Sequence, residues 1–199
     1  MGNTVGSTDT NFCNFFLDEE DAYILGLWCA DSYWWASSIG LSNTDIVLIR
    51  RFREFLKRFF PENRIKFNRN HVFVNSRPLL REFISAKNNL KKLKNVKLIK
   101  AYIAGRFDGD GSVSKDLRKD CRIIYGKKEE AVKDREFLRK IGIGNTKIYR
   151  YRIANTFCLY ISRYETKKFL EIILPYSSKL QKLVSVPRRD LTLNEARES

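Results

Sequence analysis

The chain has 199 residues, 43% of them hydrophobic, which is enough for a sizeable buried core and excludes a disordered basic tail. Its 38 Lys and Arg outnumber 23 Asp and Glu, and the formal net charge of +15 indicates a polyanionic partner such as nucleic acid. We expect no membrane span and no signal peptide. Four cysteines, at positions 13, 29, 121 and 158, lack CxxC spacing, so we expect an intracellular protein, cytoplasmic or organellar, with reduced thiols and no zinc.

The first predicted unit opens with an apolar helix that ends on Asp31. Two short strands follow at 33–36 and 38–41. Apolar residues then recur at helical spacing through 45–60, and Pro61 ends that helix. Strands at 64–68 and 72–76 are predicted to form a hairpin, and a helix resumes over 78–86. The unit therefore runs helix, two strands, helix, two strands, helix.

The second predicted unit repeats this order of elements. Its first helix ends on Asp110, strands follow at 112–115 and 121–125, and a helix spans 129–141 before Gly142. Strands at 147–153 and 157–162 precede a last helix over 165–174. The tetrapeptide Arg-Glu-Phe-Leu occurs at 53–56 and again at 135–138, which indicates internal duplication. The Lys- and Asn-rich run at 88–97 is the predicted link between the halves.

The helices that open the two units share a spacing of small residues and a terminal acid. The small residues lie four positions apart in each helix: Gly26 and Ala30, and Gly105 and Gly109. Such stripes let two helices approach closely, which would bring Asp31 and Asp110 together. Acids at helix C-termini face the negative end of the helix dipole and repel each other, so the pair indicates a divalent metal site. We expect Mg²⁺ and phosphodiester hydrolysis there.

Both segments resemble the LAGLIDADG motif of homing endonucleases. Residues 103–111, Ile-Ala-Gly-Arg-Phe-Asp-Gly-Asp-Gly, carry the glycines of the motif and its final Asp. Residues 24–32 keep Gly26, Ala30 and Asp31, but have Cys29 where Asp is common and Ser32 where the motif usually ends in Gly. The resemblance implies an α+β fold of two pseudo-symmetric αββαββα halves, joined through the motif helices, with a DNA-binding saddle of antiparallel strands.

The resemblance also implies an organisation for the whole chain. The first half would span 18–87, a linker 88–97 and the second half 98–185, with an N-terminal extension at 1–17 and a tail at 186–199. Two motifs in one chain imply a monomer. Because little of the chain lies outside the two halves, we do not expect a protein-splicing domain.

By the same resemblance, the protein is a site-specific endonuclease of intron mobility. It would cut both strands of a long, asymmetric double-stranded DNA target and leave 3′ overhangs. Mg²⁺, which Mn²⁺ or Ca²⁺ could replace, would be held by two side chains and two backbone carbonyls: those of Asp31 and Asp110, and of Ala30 and Gly109. Basic residues complete such a site, and Lys179 and Lys87, at matching places in the two units, are our candidates.

The first hairpin supplies candidate contacts to DNA. Arg64, Lys66 and Asn68 share one face of the predicted strand, whereas Ile65 and Phe67 occupy the other. A two-stranded ribbon with an apolar back and a basic front fits the major groove. We therefore expect the three polar residues to contact DNA.

Other candidate contacts lie in the second hairpin, in a loop and next to the first motif. We expect Arg150 and Arg152 to face outward, with the intervening tyrosines partly packed. Further basic candidates follow Asp110 or lie on neighbouring strands: Lys115, Arg118, Arg122 and Lys147. Trp34 and Trp35 alternate along a strand, so we expect one of them in the core, and Trp35 is the candidate contact.

Two further functions fit the same sequence. An RNA maturase, which assists intron splicing, would use the basic saddle on RNA without needing intact acids. A cleavage-inactive DNA-binding regulator would be consistent with Cys29 and Ser32. The presence of both Asp31 and Asp110 favours the nuclease.

Overall fold

The computed structural model describes residues 18–113 and 120–185, and both halves follow the predicted order of elements. The first half consists of α1 (Glu19–Asp31), β1 (Ser32–Trp35), β2 (Ser38–Ser42), α2 (Ile46–Lys57), β3 (Lys66–Phe67), β4 (His71–Asn75) and α3 (Arg77–Asn88). The second consists of α4 (Val96–Asp110), β5 (Gly111–Val113), β6 (Cys121–Tyr125), α5 (Lys128–Lys140), β7 (Thr146–Tyr151), β8 (Thr156–Ile161), α6 (Arg163–Ile173) and α7 (Ser178–Ser185). The predicted α+β fold of two pseudo-symmetric halves is confirmed.

Two elements differ from the sequence-based prediction. Strand β3 is only Lys66–Phe67, and Arg64 lies in a 3-10 turn before it, so the predicted strand over 64–68 is wrong at both ends. Helix α7 follows Pro175 and was not predicted. Its start is capped by Ser177, whose Oγ accepts a hydrogen bond of 3.1 Å from the backbone N–H of Leu180.

Helices α1 and α4 meet backbone to backbone at the centre of the molecule. A Cβ atom placed on Gly26 would lie 2.0 Å from the carbonyl oxygen of Tyr102. A Cβ atom on Gly105 would lie equally close, at 2.0 Å, to the carbonyl oxygen of Tyr23. The contact is therefore reciprocal, as expected of a pseudo-twofold pair, and only glycine fits at either position. The predicted close approach of the two motif helices is confirmed.

The two central helices start and end in the same way. Asp18 caps α1 by accepting the N–H of Asp21 at 2.7 Å, and Asn95 caps α4 by accepting the N–H of Lys97 at 2.9 Å. At the other end each helix runs directly into a strand, because β1 begins at Ser32 and β5 begins one residue after Asp110. Asp31 and Asp110, the last residues of α1 and α4, are thus held between a helix and a sheet.

Each half contains a four-stranded antiparallel sheet with one covered and one open face. The strand orders are β1-β2-β4-β3 and β5-β6-β8-β7. The covered faces carry buried apolar side chains that pack against the helices: Ile39, Leu41, Val72 and Val74 in the first sheet, and Ile123, Leu159 and Ile161 in the second. The alternate residues of the same strands form the open faces.

Neither membrane helices nor disulfides occur in the part of the chain that the structure describes. Within residues 18–113 and 120–185, none of the helices has the length and apolar character that a membrane crossing requires. Cys29, Cys121 and Cys158 are buried free thiols, and Cys13 lies outside the described residues.

The helix contact predicts a strong effect of one methyl group. Gly105→Ala should lower the free energy of unfolding by about 3 kcal/mol, because its Cβ would overlap the Tyr23 carbonyl. Urea denaturation measures this change. Gly126→Ala is the control, since a Cβ there meets nothing within 4 Å. Equal stabilities of the two variants would contradict the observed contact.

Candidate active site and open sheet faces

Asp31 and Asp110 end the two central helices and lie beside the point where those helices abut. A Cβ atom placed on Gly109 would lie 2.7 Å from Asp31 Oδ2 and 2.4 Å from the Cβ of Ala30. Gly109 therefore makes room for the Asp31 carboxylate against the last turn of α4. The structure brings together all four residues predicted to hold the metal at the junction of α1 and α4.

Burial raises the pKa of both carboxyls. Burial raises the pKa of Asp110 to about 6, with further repulsion from Asp31 and a compensating effect of the Arg106 guanidinium. Burial also raises the pKa of Asp31, and a hydrogen bond of 2.7 Å from Asn43 Nδ2 opposes that shift. The charged forms that a metal needs are thus costly in the protein alone.

The donor set fits a hard divalent cation that keeps water or substrate ligands. Within residues 18–113 and 120–185, no group of three or more His, Cys, Asp or Glu could hold a metal ion. The side-chain ligands at this junction would then be the two carboxylates of Asp31 and Asp110. The other ligands would be oxygens of the backbone, water or phosphate. The carbonyls of Ala30 and Gly109 lie in the last helical turns, where the helix itself offers no partner. Mg²⁺ accepts such a set.

Lys179 reaches the same helix end from α7. Its Nζ donates to the carbonyl oxygen of Gly111 at 2.7 Å and lies 3.4 Å from that of Asp108. The lysine charge lowers the pKa of both Asp31 and Asp110, which places it within electrostatic reach of the pair. Lys179 thus lies beside the two acids, as expected for a residue that assists them.

Asp108 fixes α7 rather than taking part in the acid pair. Its carboxylate accepts hydrogen bonds from the backbone N–H groups of Ser178, at 2.7 Å, and Lys179, at 3.3 Å. The hydroxyls of Tyr23, at 2.6 Å, and Ser177 also donate to it. An acid at a helix N-terminus is favourable, so Asp108 holds the helix that presents Lys179. In the first motif Cys29 takes this place as a buried thiol, and burial raises its pKa to about 11.

Lys87 contacts a carboxylate instead of the backbone of a motif. Its Nζ lies 3.0 Å from Glu130 Oε1, on the second half's helix α5. Its charge lowers the pKa of the Cys29 thiol, so the lysine lies on the first-motif side of the site. The two candidate lysines therefore make different contacts, and their catalytic roles stay predictions.

Arg106 is a buried charge at the site that the sequence-based prediction missed. Its side chain is 1% exposed and lies 3.4 Å from Glu130 and 3.3 Å from Asp134. The guanidinium also lies 4.5 Å from the centre of the Tyr125 ring. Its spacing of four residues from Asp110 puts both on one helix face, which was the available signal. The first motif has Leu27 at this place, so the charge is peculiar to the second half.

The open faces of the two sheets combine cations with aromatic rings. In the first sheet the side chains that alternate with the core residues are Tyr33, Trp35, Lys66, His71, Phe73 and Asn75. In the second they are Arg122, Lys147, Tyr149, Tyr151, Cys158 and Tyr160. The rings of Tyr149 and Tyr160 meet edge to face at 6.0 Å, and Trp35 is 75% exposed. Helices cover the other face of each sheet and leave this side accessible.

The first hairpin places its three candidate contacts differently from the prediction. Only Lys66 lies on the open face. The Arg64 guanidinium covers the Phe60 ring at 5.2 Å and donates to the carbonyl oxygen of Asn75 at 3.3 Å. Asn68 Oδ1 accepts the backbone N–H groups of the hairpin turn, at 3.0 and 2.8 Å. The predicted basic face of three residues is therefore wrong, because the strand is shorter than expected.

In the second hairpin the predicted orientation is reversed. Arg150 lies on the covered side with Ile148, beside Val132 and Arg135 of α5. Tyr149 and Tyr151 are 47% and 43% exposed on the open side, with Lys147. The packing of Ile148 against α5 decides this orientation. Arg152 follows the end of β7 in an exposed turn.

The remaining candidates have mixed outcomes. Arg122 lies on the open face, 47% exposed, and pairs with Asp120 at 2.6 Å. Lys115 and Arg118 lie outside the described residues. Neither Trp34 nor Trp35 is in the core, since the exposed fraction of Trp34 is 58%. The prediction that one of the two is buried is wrong because β1 is an edge strand, beyond the cover of the helices.

Comparison with known proteins agrees with this geometry. Residues 18–96 match the family described as LAGLIDADG-like domain, and the second half repeats its order of elements. The first half of the chain is a LAGLIDADG-like domain. The homing endonuclease I-DmoI, solved in complex with DNA and Mn, is similar to it with a TM-score of 0.63 and 20% identity. The match covers 78% of this chain and 96% of I-DmoI.

Two other relatives carry different names. WhiA from Thermotoga maritima is similar to this chain with a TM-score of 0.61 and 19% identity, over 89% of this chain and 63% of that one. The RNA polymerase subunit Rpo1C of Methanocaldococcus jannaschii is 28% identical over 198 residues, which are 90% of this chain. The match spans only 22% of that subunit. The fold therefore also occurs in proteins that are not named as nucleases.

The raised pKa of Asp110 predicts a pH-dependent gain in stability on its removal. The folded-state pKa of about 6 exceeds the usual value near 4, so ionising Asp110 lowers stability as the pH rises through this range. At pH 8 with EDTA, Asp110→Asn should raise the free energy of unfolding by about 1–2 kcal/mol, after allowance for partial exposure. At pH 4 the gain should vanish. Urea denaturation at pH 4 and pH 8 measures this gain in stability, with Glu171→Gln as an exposed control. An equal gain at the two pH values would contradict the raised pKa of Asp110.

Proposed function

We propose that the chain is a metal-dependent endonuclease that cuts both strands of a long, specific DNA site and leaves 3′ overhangs. The observation that carries this proposal is the meeting of two half-buried carboxylates, Asp31 and Asp110, at the abutting ends of α1 and α4. Both acids face the negative ends of their helices, and burial raises the pKa of each. A structural role alone does not explain such a costly pair, whereas a shared cation does.

The chain's own residues divide the work around the metal. When bound, a divalent cation supplies charge for the scissile phosphate and an acidified water. Asp31 and Asp110 hold the site from two sides. Lys179, tied at 2.7 Å to the Gly111 carbonyl, adds a fixed positive charge that stabilises negative charge developing on phosphate oxygens. Buried Arg106 offsets part of the repulsion between the two acids.

The symmetry of the site supports a duplex as substrate and a monomer as the active form. Each half contributes one acid, and the reciprocal glycine contacts relate the halves by a pseudo-twofold axis. The strands of a DNA duplex are also antiparallel and related by twofold symmetry. A single chain therefore offers one carboxylate to each strand, and we propose that it acts alone.

The open sheet faces supply the DNA-binding surface of this proposal. Lysine side chains at Lys66 and Lys147 would contact phosphates, and the exposed rings of Trp35, Tyr149 and Tyr151 would contact sugar or base edges. The net charge of +15 supports a polyanionic substrate. The likeness to I-DmoI, solved with DNA and with Mn, Mg or Ca, supports DNA and a divalent metal.

A DNA-binding protein that does not cut is the second candidate. The likeness over 89% of this chain to WhiA, which is not named as a nuclease, favours the absence of cutting, as does the lack of the capping acid at Cys29. In the second half that acid holds α7 and thus Lys179. A first half without it would position its own lysine less firmly, which weakens or removes cutting of one strand.

Cleavage of a randomised duplex library distinguishes these functions. The nuclease should give discrete ends with short 3′ overhangs in Mg²⁺ and none in EDTA, as read by sequencing. Retention of the library without cutting, in Mg²⁺ and in Mn²⁺, would contradict the nuclease and favour the second candidate. A parallel RNA pool tests the maturase, which would bind RNA and cut neither pool.

Loss of either carboxylate should separate cutting from binding. Asp31→Asn and Asp110→Asn should each abolish double-strand cleavage while the dissociation constant for the selected site changes little, because the acids hold the metal rather than the duplex. Gel assays of supercoiled plasmid distinguish nicked from linear product, and Glu171→Gln should cut as the native protein does. Full linearisation by either Asn variant would show that the replaced aspartate is not needed for cleavage, and would contradict its assignment to the site.

Removal of open-face side chains should weaken binding instead. The double change Lys147→Ala and Tyr149→Ala should lower affinity for the selected duplex and reduce the slope of log affinity against log salt by about 1. The matched control, Lys167→Ala with Tyr164→Ala, removes the same side chains from exposed positions of α6. Equal affinities of the two double variants would show that the open face does not bind DNA.

A further inference from the structure

A basic concavity lies between the linker and helix α5, apart from the acid pair and the open sheet faces. It encloses about 640 Å³, and it is lined by Lys91, Lys94, Lys133, Lys140, Asn88 and Asn89 above Leu90 and Phe137, with Glu136 at its edge. No lining residue belongs to a strand. We call this surface the lysine bowl. Helix α5 packs against the covered face of the second sheet, so the bowl lies on the side opposite to Lys147 and Tyr149.

The lysines of the bowl lack internal counter-ions. Among the described residues, none of the four forms an ion pair with a carboxylate, and Glu136 is the one acid that lines the bowl. The four charges therefore line one concave surface without an acidic ion-pair partner in the described part of the chain. Like charges held this way repel, so an anion from outside the chain would relieve the repulsion.

The first half provides an internal comparison, because there the equivalent positions are neutralised. Alignment of the shared Arg-Glu-Phe-Leu segments pairs Lys133 with Arg51 and Lys140 with Arg58. Arg51 contacts Glu20 at 2.9 and 2.5 Å, and Arg58 contacts Asp21 at 2.7 Å. These two arginines are thus neutralised within the protein.

The acids that neutralise Arg51 and Arg58 come from the first turn of α1, whereas the first turn of α4 contains no acid. The first turn of α1 carries Glu19, Glu20 and Asp21, whereas the first turn of α4 contains no acid and includes Lys97. Helix α5 therefore carries basic residues for which α4 offers no acidic partner in its first turn, and the linker adds further lysines. This difference between the halves is the observation that distinguishes the bowl from an ordinary basic surface.

The chemistry of the bowl favours phosphate over an acidic protein. Lysine is depleted at protein interfaces, which use aromatic and Arg anchors, and the bowl has no exposed aromatic ring or Arg. Phosphate contacts by contrast need only cations and amide donors, which the lysines and asparagines supply. The lack of an exposed ring also argues against stacking of single-stranded bases.

We propose that the lysine bowl is a second nucleic-acid site, which binds the phosphodiester backbone of a duplex segment other than the one on the open faces. The inference does not depend on cleavage. It assigns a role to the lysine-rich linker, which the acid pair and the open faces leave unused. Its binding is independent of base sequence, since lysines contact phosphates as point charges.

Lysine footprinting tests the proposal at individual positions. The full chain is acetylated with excess duplex DNA, duplex RNA or polyglutamate of equal total charge, and each lysine is quantified by mass spectrometry. We expect the duplex to suppress acetylation of Lys91, Lys94, Lys133 and Lys140, while exposed Lys167 on α6 reacts as before. The DNA and RNA arms identify the source of the backbone. Reactive bowl lysines in both duplex arms, or equal suppression by polyglutamate, would overturn the proposal.

A matched pair of variants supplies the second measurement. In the Lys147→Ala, Tyr149→Ala background, Lys133→Ala with Lys140→Ala should lower the salt slope of duplex binding by about 2. Arg81→Ala with Lys167→Ala removes the same charge from exposed helix positions and should leave the slope unchanged. Equal slopes would overturn the second site and leave the proposed nuclease untouched, because cleavage at the acid pair is read separately.

Discussion

The backbone contact between α1 and α4 is the constraint on which the rest of the structure depends. Gly26 and Gly105 each face a carbonyl of the other helix, where a Cβ would lie 2.0 Å away. This approach joins the two halves, and it sets Asp31 and Asp110 side by side because each acid ends its helix. The helix ends in turn fix where the sheets begin, because β1 and β5 start directly after Asp31 and Asp110.

The same arrangement concentrates unfavourable charge at one place. Two carboxylates with raised pKa values lie at negative helix ends, and buried Arg106 offsets their repulsion only in part. Proteins commonly hold such destabilising groups where function requires them. Asp108 caps α7, and this helix presents the positive charge of Lys179 beside the two acids.

The sequence predicted what depends on local spacing and failed where distant packing decides. Small residues four positions apart identified the helix contact, and a terminal Asp identified each acid. The role of Asp108 could not be predicted from spacing. Two positions along a helix turn its side chain about 200° away from Asp110. It therefore points towards α7, a partner that only the fold reveals. The orientation of β7 was also undetermined, because Ile148 and Arg150 alternate with Tyr149 and Tyr151, so neither face is purely apolar. Packing of Ile148 against α5 settles it.

The central claim is that one divalent metal lies between Asp31 and Asp110 when DNA is bound. Anomalous diffraction from crystals of the DNA complex grown in Mn²⁺ tests this claim most directly. The account predicts a manganese peak within coordination distance of both carboxylates and of a phosphate oxygen. Manganese bound elsewhere, or no manganese at the junction of α1 and α4 in a complex with duplex on the open faces, would contradict it.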